Sequence, residues 1–304
     1  MNGKTKKADV PTSGQNDLQS MLSLEQIDTD LFRAGKSSNT VTTRIFGGQV
    51  VAQALAAATA TAGNVSCHSL HTYFLRPGDP TNPVIYHVER SKDGRSLTTR
   101  RVRAIQNGKQ ILNLSASYHI DEEGLSHQHA MPDVVEPSAA PAFRMPSREQ
   151  YSKMNKGMPV VDELLRLIEM RAVNPLDVDN IVPTDDRHCV WFCIPSAEGL
   201  GREQQQQLLA YASDLNILST SLRPHGLTWL DNKVQGASLD HAVWFHAPVQ
   251  MDRWHLYALE SPWTGQARCL NRGSIFSRDG NLVASVVQEG LIRPKNASLT
   301  PAQG

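Results

Sequence analysis

The sequence predicts an α+β protein of two tandem halves, each a long central helix wrapped by an antiparallel β-sheet. Two observations carry this. A nearly uncharged Ala/Leu helix is followed by strand-like runs separated by tight turns, and that order then occurs a second time. Two short matches support the repeat. Phe74-Leu-Arg-Pro77 returns as Phe245-His-Ala-Pro248, 171 residues on, and the turn Asn107-Gly108 returns as Asp279-Gly280, 172 residues on.

Residues 1–17 are polar and lysine-bearing, without an apolar core, and read as a flexible tail rather than a signal peptide. The first half is expected over 18–121. It opens with an amphipathic lead-in, Leu18 to Phe32. The run from Phe46 to about Ala62 is dominated by alanine and leucine, so a helix buried nearly all round is expected there. Gly47 and Gly48 at its start leave backbone amides accessible to a ligand or another chain segment. Strands are expected at His68–Leu75, Val84–Arg90, Ser96–Gln106 and Ile111–His119. Lys92-Asp-Gly94 and Gln106-Asn-Gly108 supply turns between them.

Residues 122–186 break the pattern with scattered prolines and read as a linker holding one apolar helical segment, Val160–Met170. The second half, 187–294, repeats the plan. A strand at Cys189–Ile194 precedes a long helix at Glu203–Leu222, and strands follow at Ala242–His246, Trp254–Glu260, Ala267–Ser277 and Leu282–Ile292. Residues 295–304 read as a second tail.

Composition narrows the function. Thirty basic and thirty acidic side chains cancel, so no global field favours nucleic acid or an anionic membrane. No apolar run reaches the roughly 18 residues a membrane helix needs, and the cytoplasm is the expected location. Cys67, Cys189, Cys193 and Cys269 are too few and too scattered for a disulfide framework and read as core thiols. His119, His127 and His129 lie at a strand end and in the proline-rich linker, without carboxylates at ligand spacing; no metal is expected. Nucleotide-binding glycine loops, HExxH and the GxSxG elbow are all absent.

What remains is polar residues in apolar elements. Asp214 stands in the middle of an otherwise apolar helix, where an unpaired charge is costly. Ser238 marks the start of a strand, and Gln288 ends a strongly apolar one. Each alone suits a local structural role. Converging where strands wrap the helix, they can fix one water: Asp214 takes its proton while Ser238 and Gln288 orient it.

Several longer runs carry a family resemblance. They are Phe46-Gly-Gly-Gln49, His68-Ser-Leu-His-Thr-Tyr-Phe-Leu-Arg-Pro-Gly-Asp79, Arg100-Arg-Val102, Ala210-Tyr-Ala-Ser-Asp214, Ser238-Leu-Asp-His-Ala-Val-Trp-Phe-His246 and Gln288-Glu-Gly290. From about Leu22 to Arg293 the chain resembles the acyl-CoA thioesterase II family. The resemblance implies a tandem double-hotdog fold, hydrolysis of fatty acyl-CoA, no metal or organic cofactor, and a catalytic Asp, Ser/Thr and Gln. Matched motif by motif, these are Asp214, Ser238 and Gln288, with serine where some relatives have threonine.

The acyl-CoA substrate then needs amides for the developing oxyanion, for which Gly47 and Gly48 are candidates, and cations for the CoA phosphates. Residues 76–103 carry seven basic side chains against three acidic ones, with Arg76 and Arg101 as the candidates. Side-by-side hotdog sheets suggest a homo-oligomer. Asp240 and His241 alternate across a strand and cannot act as one dyad. Two other classes compete. A hotdog hydratase or dehydratase would place a histidine four or five residues after the carboxylate, where Leu215 to Ser219 stand, and a binding module would hold acyl-CoA without turnover.

Overall fold

A computed structural model describes residues 22–35, 44–143, 167–177, 180–231 and 233–295. The first expected tail, the second beyond Lys295 and the greater part of the Val160–Met170 segment fall outside these residues. The first half contains β1 (Leu24–Asp28), β2 (Leu31–Ala34), α1 (Gly47–Thr59), β3 (Ser66–Phe74), β4 (Ile85–Asp93), β5 (Leu97–Gln106) and β6 (Lys109–His119). The second contains β7 (Glu169–Ala172), β8 (Arg187–Cys193), α2 (Arg202–Ser213), α3 (Ile217–Thr220) and β9 (Val234–Ser238). These lead into β10 (Asp240–Phe245), β11 (His255–Gly265), β12 (Arg268–Ser277) and β13 (Leu282–Pro294).

One antiparallel sheet runs β1-β2-β4-β5-β6-β3-β10-β13-β12-β11-β8-β7, with β9 added beside β13. Its halves mirror each other about the β3–β10 seam, where Leu70 pairs with Val243 and Thr72 with His241. This is the expected double hotdog, an α+β fold whose two sheets join edge to edge. Joining them there leaves neither central strand as an exposed edge.

Helix α1 has no charged residue, and eleven of its thirteen positions are buried against α2 and the concave face of the sheet. Two of its buried polar groups are met from the strands: Tyr86 Oη donates to Gln53 Oε1 at 2.6 Å, and Tyr118 Oη meets Thr59 Oγ1 at 3.1 Å.

Four expectations are corrected. The lead-in before Phe32 is the β1–β2 hairpin from Leu24 onward, turned at Asp30 with φ 56°, and Arg90 clamps that turn through both Asp30 oxygens. Met170 belongs to β7, not to a helix. Ser238 ends β9 rather than starting a strand. The second helix does not run to Leu222. It stops at Ser213, whose Oγ bonds back to the Ala210 carbonyl, and Asn216 in the left-handed region (φ 63°) turns the chain into α3.

The described part of the linker is a strap. Gln128 bonds Gly280 O and Leu282 N, Trp191 Nε1 donates to Val135 O at 2.9 Å, and Ala140 packs with Trp191, Leu256 and Phe276. Its irregular backbone covers apolar side chains on the outer face of the second half's sheet.

Arg100 is fully buried beneath the C-terminal end of α1. It donates to Thr61 Oγ1 and O (2.9 and 2.8 Å), to the Lys92 and Thr99 carbonyls (3.0 Å each), and to Asp93 (2.5 Å). Arg100→Met strands those acceptors and should cost about 2–4 kcal/mol, read as a fall in Tm. Arg101→Met on the neighbouring exposed position should stay within about 0.5 kcal/mol.

Candidate functional site

Asp214 stands where α2 ends, not mid-helix as the sequence suggested. A carboxylate at a helix C-terminus meets the negative end of the dipole, so its charge needs donors from elsewhere. Two arrive from opposite directions. Gln288 Nε2 on β13 donates to Oδ1 at 2.8 Å, and the Gly48 amide at the start of α1 donates to Oδ2 at 2.8 Å. The positive end of α1 thus faces the negative end of α2, with the carboxylate between them.

Although Asp214 keeps some surface exposure, protein crowds its carboxylate. Burial pushes its pKa up to about 6, and the Gln288 and Gly48 bonds counter only part of that rise. Each oxygen takes one of these donors and retains acceptor capacity for another. Nearby, the buried Tyr211 and Tyr257 hydroxyls are pushed up, by burial first and then by the Asp214 charge.

Gln288 is fully buried, and its Oε1 has no hydrogen-bond partner. Across β12–β13 it pairs with Asn271, another fully buried amide, whose Nδ2 reaches only the Cys269 sulfur at 3.4 Å. Ser238 pairs with Gly290 across β9–β13. Paired residues and residues two apart share a face, so Ser238 is the diagonal neighbour of Gln288 on the helix side of the sheet. Such diagonal neighbours lie about 7–8 Å apart, a gap two side chains and one water can span.

The glycines have separate roles. A Cβ on Gly47 would lie 2.8 Å from Asp214 Oδ2 and 3.0 Å from the Phe74 ring, so the site itself demands a bare backbone there. At Gly48 it would lie 2.5 Å from the Tyr211 carbonyl, where α1 and α2 meet. The Gly48 amide is bound to Asp214, a different use from the oxyanion contact suggested by sequence. That inter-half contact was invisible in the sequence; the paired glycines were its only trace.

The candidate cations are not drawn to the carboxylate. Arg101 projects from the exposed face of β5, opposite the buried Arg100 and Val102, so the sheet separates it from Asp214. Arg76 is exposed, two residues beyond Phe74, with Nη1 on the Gln110 carbonyl at 2.7 Å. Arg100 serves α1 instead. Asp240 accepts the Glu289 amide at 2.6 Å, while His241 turns inward to Ser213, as strand alternation requires. Among the described residues, no group of three or more His, Cys, Asp or Glu is placed to hold a metal. All four cysteines are free, and no described helix is long and apolar enough to cross a membrane.

Comparisons with known proteins cover both halves. A family described as acyl-CoA thioesterase matches residues 185–291, and one described as the acyl-CoA thioesterase N-terminal domain matches 27–119. Acyl-CoA thioesterase 2 of Haemophilus influenzae is 38% identical over 91% of this chain and 97% of its own. Acyl-coenzyme A thioesterase 8 of Rattus norvegicus is 38% identical over 91% and 88%. Among solved structures, an acyl-CoA thioesterase II from Mycobacterium marinum superposes with a TM-score of 0.74 at 35% identity, covering 92% of this chain and 99% of that one.

Proposed function

The chain belongs to the acyl-CoA thioesterase II family, and we propose that it hydrolyses fatty acyl-CoA by direct attack of a water held by Asp214, Gln288 and Ser238. The observation that supports this most is the Asp214 carboxylate, fixed by one donor on each oxygen and brought by burial to a pKa of about 6. A base with that value is ionised near neutral pH yet strong enough to take a proton from water.

In the proposed reaction one water proton bonds Asp214. The other bonds Gln288 Oε1, whose Nε2 is already turned to the carboxylate. The Ser238 hydroxyl donates to the water oxygen and aims it at the thioester carbon. Attack forms a tetrahedral oxyanion while Asp214 takes the proton. Collapse breaks the carbon–sulfur bond, and Asp214 returns the proton to the departing CoA thiolate. The positive end of α1, with the Gly47 amide at its tip, stabilises the oxyanion.

No metal or organic cofactor takes part in this scheme. A cytoplasmic homo-oligomer belongs to the same proposal and is tested by fractionation and sedimentation. Substrate scope is tested by a panel of acyl-CoA thioesters from acetyl to stearoyl, with free thiol as the readout.

The pH profile tests the base. Protonating Asp214 removes it, so log kcat/KM should fall with unit slope as pH drops through about 6 and level off above. An acid limb centred near the ordinary aspartate value of about 4 would remove Asp214 from that role.

A further inference from the structure

His241 on β10 is completely buried, and its Nε2 lies 2.8 Å from Ser213 Oγ. Ser213 places its own proton on the Ala210 carbonyl at 2.9 Å, so the imidazole is the donor and carries its hydrogen on Nε2. Burial holds the ring's pKa down at about 3, and it stays neutral wherever the enzyme works. Its Nδ1 has no partner; neither has Oγ1 of Thr72, the residue opposite it on β3.

From β11 a second group reaches the same residue. The buried Tyr257 hydroxyl donates to the Ser213 carbonyl at 2.7 Å, one of the acceptors that the end of a helix leaves without an internal partner. The Tyr257 ring lies against Gly273, where a Cβ would overlap it, so the ring's position is fixed independently of its hydroxyl. Ser213 is therefore gripped by side chain and carbonyl from two strands. It is also the residue immediately before Asp214.

We propose that His241 and Tyr257 are positioning residues for hydrolysis: by clamping Ser213 they fix where α2 ends, and with it the direction and dryness of the Asp214 carboxylate. Neither touches substrate. The inference rests on the reading of Asp214 as the base. Around Asp214 stand the Gly48 amide from α1, Gln288 from β13, Tyr211 on its own helix and Tyr257 from β11. Around His241 stand Ser213 and Thr72, neither charged. Releasing the clamp lets water reach the carboxylate, which eases the burial that raises its pKa. The acid limb of the rate profile then moves to lower pH, while ground-state binding is little altered.

The experiment is steady-state hydrolysis of one acyl-CoA over about pH 5 to 9 by wild type, Tyr257→Phe, His241→Leu and His241→Gln. Tyr257→Phe and His241→Leu should each lower kcat about tenfold with KM within about twofold, because a misaligned base costs turnover rather than binding. Both should also shift the acid limb to lower pH. His241→Gln, which restores an N–H near the Nε2 position, should recover most of kcat and return the limb. An unshifted limb with wild-type kcat in folded Tyr257→Phe overturns the proposal, as does a kcat loss that only tracks the unfolded fraction. Should the histidine variants fail to fold, Tyr257→Phe decides alone, since it deletes one oxygen and keeps the seated ring. Asp214→Asn separates the two readings. If it retains activity, the base assignment fails; if it is inactive while Tyr257→Phe is unshifted, only the clamp fails.

Discussion

Asparagine at position 214 should lower kcat/KM for acyl-CoA by about 10²–10⁴-fold and, in the same protein, raise the melting temperature near pH 8. The two effects share one cause. The folded-state pKa of Asp214, about 6, lies above its ordinary 3.8, so keeping the group ionised opposes folding. That penalty is fully present above pH 6 and disappears as pH falls through 6 toward 3.8. At about 1.4 kcal/mol per pKa unit, and discounted for the partial exposure of the residue, it amounts to about 1–3 kcal/mol.

Asparagine removes the charge and keeps the shape. Its Oδ1 can accept from Gly48, and a reversed Gln288 amide can accept from its Nδ2. Melting curves of the two proteins should therefore separate near pH 8 and converge only as pH falls from about 6 toward 3.8. Turnover within about threefold of wild type would eliminate Asp214 as the base, whatever the melting curves show.

Alanine at position 48 should do the opposite to stability while also removing activity. The new Cβ meets the backbone oxygen of Tyr211 at 2.5 Å, and a backbone atom cannot rotate away as a side-chain tip can. The helices must separate, at about 1–3 kcal/mol. As α1 retreats, its amide leaves Asp214 Oδ2, and the carboxylate loses one of its two donors. We expect kcat to fall about 10–100-fold and Tm to drop together. Gly47→Ala makes a useful contrast, because the nearest atoms its Cβ meets are side-chain atoms, of Asp214 and Phe74, rather than backbone. A lower kcat with a smaller change in Tm is expected there. A Gly48→Ala protein with normal stability and turnover would show that the helix junction is not rigid.

Much of this was legible in the sequence because the signals are local. The uncharged alanine helix, the turns at Asn107-Gly108 and Asp279-Gly280 and the alternating strands each announce themselves within a dozen residues. The repeat then gives the mirrored halves. The oddly placed Asp214 and Gln288 were visible for the same reason, as polar residues in apolar runs.

What stayed hidden depends on distant partners or on short-range competition. The four apolar positions Leu215, Ile217, Leu218 and Leu222 continue a helical pattern, but Ser213 bonding back to its own turn and Asn216 in a left-handed conformation stop the helix at the site. The basic residues at 76–103, a cluster in sequence, are split by the fold between two faces. Strand alternation sends Arg100 inward and Arg101 outward, and no local rule reveals that the inward one ends up serving α1. The short strand β9 has five residues and a glycine, too little pattern to outweigh a loop.

The two central helices end in opposite chemistry. Just beyond the end of α1, a guanidinium sits on the Thr61 carbonyl, the sign that the helix dipole favours. Where α2 finishes, an anion occupies the corresponding place, the sign it opposes. The mirrored halves present one architectural joint twice with different chemistry: at the first Arg100 anchors the chain just beyond α1, while at the second burial raises the pKa of the Asp214 carboxylate that we propose as the base. A thermostable descendant would therefore be sought by reinforcing the first joint, since any gain made by relaxing the second should be repaid in lost turnover.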